Sequence, residues 1–199
     1  YDNDTIGSDA KTCCSLENIN DAKSVANSLG IPFEVCDFRP EFEEKVISKF
    51  ISAYEHGITP NPCVDCNRTL KFDELFRAGK ELGQDYIATG HYVIVEHGED
   101  GRYKLKKAVD LSKDQSYVLY SLSQEQLSHT MFPLGKLHKS ETRKIAEDHG
   151  FVNANRKESQ DICFIPDGYY AAFIERYTGK KIDSGNFVDM DGNLLGIHR

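Results

Sequence analysis

Two cysteines, Cys63 and Cys66, stand at Cys-x-x-Cys spacing in "TPNPCVDCN", just after an Asn-Pro turn and just before a run with helical periodicity. Thiols so placed can serve as a redox dithiol, half of a zinc site, part of an iron–sulfur site, or a nucleophile with a neighbour. In a turn that leads into a helix, unpaired backbone N–H groups and the helix dipole favour thiolate over thiol. A zinc site wants four ligands, commonly a second Cys-x-x-Cys or a Cys/His pair. Only one other cysteine has an equally suggestive setting, Cys163 in "SQDICFIP". Three thiolates suit an iron–sulfur cluster with one open iron position. Two suit thiol–disulfide chemistry, one sulfur attacking the other's persulfide or mixed disulfide. Cys36 reads as a small core hydrophobe in a buried strand, and the adjacent Cys13 and Cys14 as local packing.

A second signal is "QDYIATGHY". A strand that runs into Thr89-Gly90 puts a backbone turn at the carboxyl edge of a parallel sheet, where nucleotides bind. Gly90 lets a ligand come close to the backbone, and His91 is either a positioning group or a loop histidine. "SKDQSY", Ser112 to Tyr117, is polar and reads as a capped loop.

These groups need a scaffold, and 199 residues make one ordinary domain, or one domain and part of another. That is enough to bury a core without a disulfide framework. The six cysteines are irregularly spaced, and no signal-peptide pattern or long apolar span accompanies them. A reducing, cytoplasmic setting with no membrane partner is expected. Tyr1 opens a polar stretch with no strand before it, as in a fragment. The net charge of −8 argues against a simple basic nucleic-acid wrapper. The imbalance is uneven: residues 1–60 hold 11 acidic and 5 basic side chains, residues 61–199 hold 21 and 19. A basic group at Lys136, Lys139, Arg143, Lys144, Arg156 and Lys157 is either a solvated helix face or a polyanion contact.

Helical periodicity follows Ser15 as N-cap, through Ile19, Ala22, Val25, Ala26 and Leu29, to Gly30. "IPFEVCDF" has the texture of a strand. Phe42, Val46, Ile47, Phe50 and Ile51 mark a second helix ending at His56-Gly57, and a third is expected from about Thr69 to Leu82. The rhythm of helices and strands is that of a parallel sheet covered by helices. "YVIVE" and "YKLKK" flank a turn as a β-hairpin, Ser123 and Gln126 have capping-box spacing, and "KSETRKIAEDHG" reads as an exposed helix. "NFVDM" and "NLLGI" around Asp191-Gly192 predict a hairpin with a two-residue turn.

In order, "GITPNPCVDCNRTLKF", "QDYIATGHY", "KDQSYVLYSL", "RKIAEDHGF" and "SQDICFIP" resemble the tRNA-specific 2-thiouridylases of the PP-loop ATP pyrophosphatase superfamily. The resemblance implies an α/β fold, Rossmann-like and adenine nucleotide alpha hydrolase-like. Residues 1–132 would be an incomplete adenylation domain, and residues 133–199 a central tRNA-binding domain with Cys163 facing the active site. It implies adenylation, by ATP with Mg2+, of the C2 oxygen of a wobble uridine, then replacement of that oxygen by sulfur. The implied partners are a tRNA with a wobble uridine and a sulfur-donor relay protein. By motif position Cys66 resembles the nucleophile and Cys163 the persulfide carrier, the two pairing as a disulfide after sulfur transfer. Asn61, Pro62 and Cys63 match the segment facing the target base, Gly90 an ATP contact, and His91, Lys113, Asp114 and Gln115 tRNA contacts.

The sequence departs from that pattern in two ways. It contains neither the Ser-Gly-Gly-Val-Asp-Ser-Ser type loop nor the C-terminal barrel, so this chain alone is expected to be inactive. Some relatives carry aspartate where Cys63 stands. The alternatives are a [4Fe–4S] cluster held by Cys63, Cys66 and Cys163, and a non-catalytic zinc or redox Cys-x-x-Cys module.

Overall fold

The computed structural model describes residues 16–156 and 162–198, in two compact units, residues 1–160 and 161–199. Cys13, Cys14, Ser15 and Lys157 lie outside the described residues.

In the first unit α1 (Leu16–Leu29) ends as the sequence predicts: Gly30 takes φ 66° and the Ile31 N–H closes on the Ala26 carbonyl at 3.1 Å. Residues 31–38 correct the reading of "IPFEVCDF". They form no strand, and Val35 and Cys36 are exposed. A strand needs a ladder, and among the described residues none pairs with this segment. Cys36 is accordingly no core residue.

Next comes α2 (residues 39–55), in which the π-helical turn Glu43–Ile47 joins the α-helical stretches Arg39–Phe42 and Ser48–Glu55. Phe42, Val46, Ile47, Phe50 and Ile51 are buried, the face predicted by their spacing. Each such side chain contributes roughly 1.5–3 kcal/mol when fully buried. The following helix, α3 (residues 62–81), begins earlier than the periodicity suggests. It comprises Pro62–Asp65, a π-helical stretch Cys66–Glu74, and Leu75–Glu81. Asn61-Pro62 is thus an N-cap followed by a first-turn proline, so both cysteines are helical. Lys45 reaches Glu74 at 2.5 Å, and Arg77 pairs with the same buried carboxylate, bolting α2 to α3.

The parallel pairing among the described residues is short: β1 (Ile87–Ala88) beside β4 (Thr130–Met131), with Ile87 opposite Thr130. Between them lie the antiparallel hairpin β2 (Val93–His97) and β3 (Tyr103–Lys107), the tight turns Leu111–Lys113 and Ser116–Val118, and α4 (Gln124–Ser128). The predicted Ser123–Gln126 capping box forms, and Gln126 Nε2 also donates to the Phe72 carbonyl at 2.9 Å. That bond ties α4 to α3. One apolar cluster joins these pieces: Phe72, Val93, Val118, Leu119, Leu122 and Leu127, with Val64 and Phe132 packed against it.

The "FPLGKLH" segment is locked to the hairpin. A Cβ on Gly135 would lie 1.9 Å from the Val93 carbonyl oxygen, so only glycine fits. The Gly135 carbonyl accepts from Val109 N–H at 3.0 Å. Beyond it α5 (Lys139–Asp148) is pinned by Asp110 to the Lys139 N–H at 3.0 Å and by Tyr92 OH to Thr142 Oγ1 at 2.9 Å. Compactness therefore divides the chain after residue 160, whereas a division by role at 132/133 is a separate proposal. Three members of the basic group are engaged within this unit: Lys144 with Asp148 at 3.0 Å, Arg156 with Asp21 at 2.8 Å, and Lys139 over the Tyr92 ring.

In the second unit α6 (Tyr170–Thr178) buries Phe173 and Ile174, with the Phe173 ring 5.3 Å from that of the buried Phe164. The hairpin of β5 (Gly185–Val188) and β6 (Leu194–His198) has a longer connection than predicted, residues 189–193. Asp189 Oδ1 accepts from the N–H groups of Asp191 at 2.9 Å and Asn193 at 2.8 Å. This Asp189-centred loop replaces the two-residue turn.

Candidate functional site

The site grows from the N-terminus of α3. Asn61 is in extended conformation, and its side chain accepts from the Cys63 N–H at 3.1 Å, capping the helix. Pro62 is buried behind it. Cys63 keeps an exposed flank, yet the protein packed around its sulfur pushes the thiol pKa up, partly offset by the Lys71 ammonium. Desolvation thus outweighs the helix-start effect at Cys63, correcting the expectation of a favoured thiolate there. Cys66 is half-buried at the start of the π-helical stretch, and neither cysteine is in a disulfide. Asp65 is engaged elsewhere, with Lys49 at 3.5 Å and Arg68 at 3.4 Å.

Asn67 is a site residue that sequence reasoning missed. It is 4% exposed, and its Nδ2 donates to the Cys63 carbonyl at 2.9 Å, while its Oδ1 is buried with no hydrogen-bond partner. The available signal was an asparagine in a helix interior, a position it tolerates best with a local backbone partner. Phe72, five residues on, carries α3 onto the strand end: its ring lies 5.9 Å from His91 and 5.9 Å from Phe132.

His91 follows β1, is 7% exposed, and shares a 2.8 Å hydrogen bond between its Nδ1 and Thr89 Oγ1. Burial, aided by the Lys71 charge, pulls its pKa down to about 4, so the imidazole is neutral at pH 7. Boxed between Phe72 and Phe132, the ring offers little surface to a large ligand. Gly90 has ordinary backbone freedom: a Cβ there would meet only Leu134 Cδ1, at 3.7 Å, and its φ is not positive. The local fold does not demand glycine at this strand end, which leaves close approach of a ligand as a reason for it.

The "KDQ" loop is held from inside. Asp114 Oδ1 accepts from the Ala108 N–H at 2.8 Å, and Oδ2 from Ser116 Oγ at 2.6 Å. Gln115 clasps Tyr92 in both directions, Oε1 accepting from the Tyr92 N–H and its own N–H donating to the Tyr92 carbonyl, each at 3.0 Å. Lys113 closes the preceding tight turn. Asn61, Pro62, Cys63, Cys66, Gly90, His91, Lys113, Asp114 and Gln115 thus share the first unit, linked through Phe72 and Tyr92. Cys163 belongs to the second unit, half-buried and free in a turn before α6. Among the described residues no three His, Cys, Asp or Glu side chains gather as a metal-holding group. No described helix is long and apolar enough to cross a membrane.

Parallel strands, flanking helices and a glycine-containing strand end define a Rossmann-like α/β domain of the adenine nucleotide alpha hydrolase-like class. The family described as "tRNA methyl transferase HUP domain" matches residues 1–167, and the chain belongs to that family. It is 49% identical over 188 residues to the tRNA-specific 2-thiouridylase MnmA of Clostridioides difficile (strain 630), covering 94% of this chain and 52% of that protein. It is 53% identical over 192 residues to the tRNA-specific 2-thiouridylase MnmA 1 of Caldanaerobacter subterraneus subsp. tengcongensis, covering 96% and 53%. With that of Lachnoclostridium phytofermentans the identity is 48% over 198 residues, covering 100% and 55%. The chain spans about half the length of these relatives.

Proposed function

We propose that this chain is the part of an ATP-dependent tRNA 2-thiouridylase that presents the wobble uridine to a sulfur relay. The observation that carries the reading is the packing of the Cys63/Cys66 helix, through Phe72, onto the strand end that bears Gly90 and His91. That packing joins the helix that carries the thiol pair to the kind of backbone turn that takes a nucleotide, which supports the reading. Relatives named as thiouridylases at about half identity support it. The family's description speaks of methyl transfer and the relatives' names of thiolation, and the cysteine set favours sulfur.

ATP supplies the activation that sulfur exchange needs, because a uracil oxygen is a poor leaving group and a nucleotide phosphate is a good one. The residues fitted to it are few: Gly90 for close backbone approach, with Mg2+ carried on the phosphates and needing only one or two protein oxygens. Asn61, Pro62 and Cys63 would face the base. The Cys63 thiol, held protonated by its surroundings, can donate a hydrogen bond but is a weak base. His91 orders the strand end as a neutral ring.

The sulfur step balances without any outside oxidant. A sulfur-donor protein leaves a persulfide on Cys163. In one order of events Cys66 thiolate attacks Cys163 Sγ, the S–S bond breaks, hydrosulfide leaves, and the hydrosulfide displaces AMP from C2. In the other the outer sulfur attacks C2 first, AMP leaves, and Cys66 then cleaves the adduct at Cys163 Sγ. Both end in a Cys66–Cys163 disulfide, 2-thiouridine and AMP, and an external thiol reductant resets the pair.

The test is a chimera in which residues 1–199 replace the matching half of a full-length relative. Given ATP, Mg2+, a persulfide donor and unmodified tRNA, it should form AMP and 2-thiouridine in equal amounts. AMP without 2-thiouridine, or neither, would overturn the reading.

A further inference from the structure

Asp114 and Gln115 spend their side-chain acceptors on Ala108, Ser116 and Tyr92, so the loop's outward surface must come from other residues. Tyr117 and Tyr120 supply it, 63% and 73% exposed. They sit in successive tight turns: the N–H of Leu119 bonds to the Ser116 carbonyl and that of Leu122 to the Leu119 carbonyl, each at 3.1 Å. The residues between them point the other way. Val118 and Leu119 are 4% and 0% exposed, in the same cluster that holds Phe72 of the cysteine helix. The pattern is out, in, in, out, on a backbone fixed from below.

Two exposed phenol rings thus stand three residues apart on a hydrogen-bonded turn, backed by buried side chains. Stacked bases are what such rings fit, since every base has a π-face and a fixed ring loses little entropy on binding it. Cations stand nearby in the chain: exposed Lys107 precedes Ala108, which Asp114 holds, and exposed Lys136 follows Gly135, which holds Val109. Aromatic faces on a unit that also exposes these ammonium groups match the bases and phosphates of unpaired RNA better than an apolar protein surface. We propose that Tyr117 and Tyr120 form a stacking platform for unpaired bases of the RNA substrate, tied through Val118, Leu119 and Phe72 to the helix that carries Cys66. This rests on the reading that the chain acts on tRNA.

The experiment measures binding of fluorescein-labelled tRNA, and of a fully paired RNA duplex, to the 199-residue chain at low salt. The chain is compared with its Tyr117→Leu/Tyr120→Leu and Tyr117→Phe/Tyr120→Phe variants. Leucine should weaken tRNA binding about tenfold or more, leave duplex binding and the salt slope unchanged, and phenylalanine should stay within about twofold of the parent. Equal binding by the leucine variant, or equal loss in both variants, overturns the platform while leaving the sulfur-transfer reading intact. So does a parent dimer that the leucine variant dissociates, which would assign the rings to a protein partner. A parent chain that binds no tRNA at all overturns the platform together with the substrate reading beneath it.

Discussion

Asn67 Nδ2 donates to the Cys63 carbonyl at 2.9 Å, one helical turn back, and so braces the segment that holds both thiols. Its Oδ1 remains a buried acceptor without a donor. Leaving such an atom unsatisfied costs about 1–3 kcal/mol, comparable with what the bond to Cys63 returns. Asn67→Leu should therefore change the stability of the chain by less than about 1 kcal/mol in urea unfolding. In the chimera it should slow sulfur transfer about tenfold or more, because a displaced reacting group costs rate out of proportion to stability. A leucine variant as active as the parent would make Asn67 a packing residue only.

His91 makes the fold sensitive to acid. Its pKa falls from an ordinary 6.5 to about 4 on burial, so the stability it allows is present above 6.5 and lost as pH drops toward 4. The loss is about 3 kcal/mol between pH 7 and 4. His91→Gln keeps a polar side chain without the titration, and should flatten that part of the stability–pH curve. Parallel curves for the two proteins would show that other groups set the acid limit.

Glu74 works in the same pH direction for a different reason. The hydrogen bond from Lys45 holds its carboxyl below the usual range, and Arg77 adds to this. Its contribution is present above the unfolded glutamate pKa and disappears as pH falls through the depressed one. Lys45, raised by the same bond, loses its contribution only at alkaline pH. Glu74→Gln should cost about 2–4 kcal/mol at pH 7 and converge on the parent at a pH below the depressed Glu74 pKa. Urea melts at the two pH values check this.

Gly135 meets a steric limit. Its Cβ position lies 1.9 Å from the Val93 carbonyl oxygen and 2.6 Å from the carbonyl carbon, and backbone cannot step aside as a side chain can. Gly135→Ala should cost about 3 kcal/mol or more, whereas Gly196→Ala, with nothing within 4 Å, should be close to neutral. Thermal unfolding of the pair separates local strain from a general intolerance of substitution.

Periodicity made the helices legible, since Phe42, Val46, Ile47, Phe50 and Ile51 announce a buried face wherever they occur. What it missed depends on partners. "IPFEVCDF" has strand composition, but a strand is a pairing, and no described segment pairs with it. The start of α3 was legible from Asn61-Pro62 as cap and first-turn proline, yet the apolar spacing pointed later, because the first turn is polar on its open side. The thiols and Gly90 stand out in the sequence by residue type and spacing. The roles of Asn67 and Lys71 were not, because a neutral amide and a surface lysine acquire meaning only from neighbours that folding brings: the Cys63 carbonyl for one, Cys63 and His91 for the other. The inward turn of Asp114 and Gln115 is likewise invisible in "SKDQSY", whose polar letters look equally suited to solvent.

The relay between Cys66 and Cys163 is the claim on which most depends, and one comparison tests it. In the chimera, 2-thiouridine in tRNA is measured by mass spectrometry with a persulfide donor, for the parent, Cys66→Ser and Cys163→Ser. The relay predicts that pyrophosphate, the product of adenylation, still forms in all three, while 2-thiouridine falls to background in both serine variants and the donor's extra sulfur is found on the Cys163 peptide of the parent and the Cys66→Ser protein. Undiminished 2-thiouridine in the Cys163→Ser protein would contradict it.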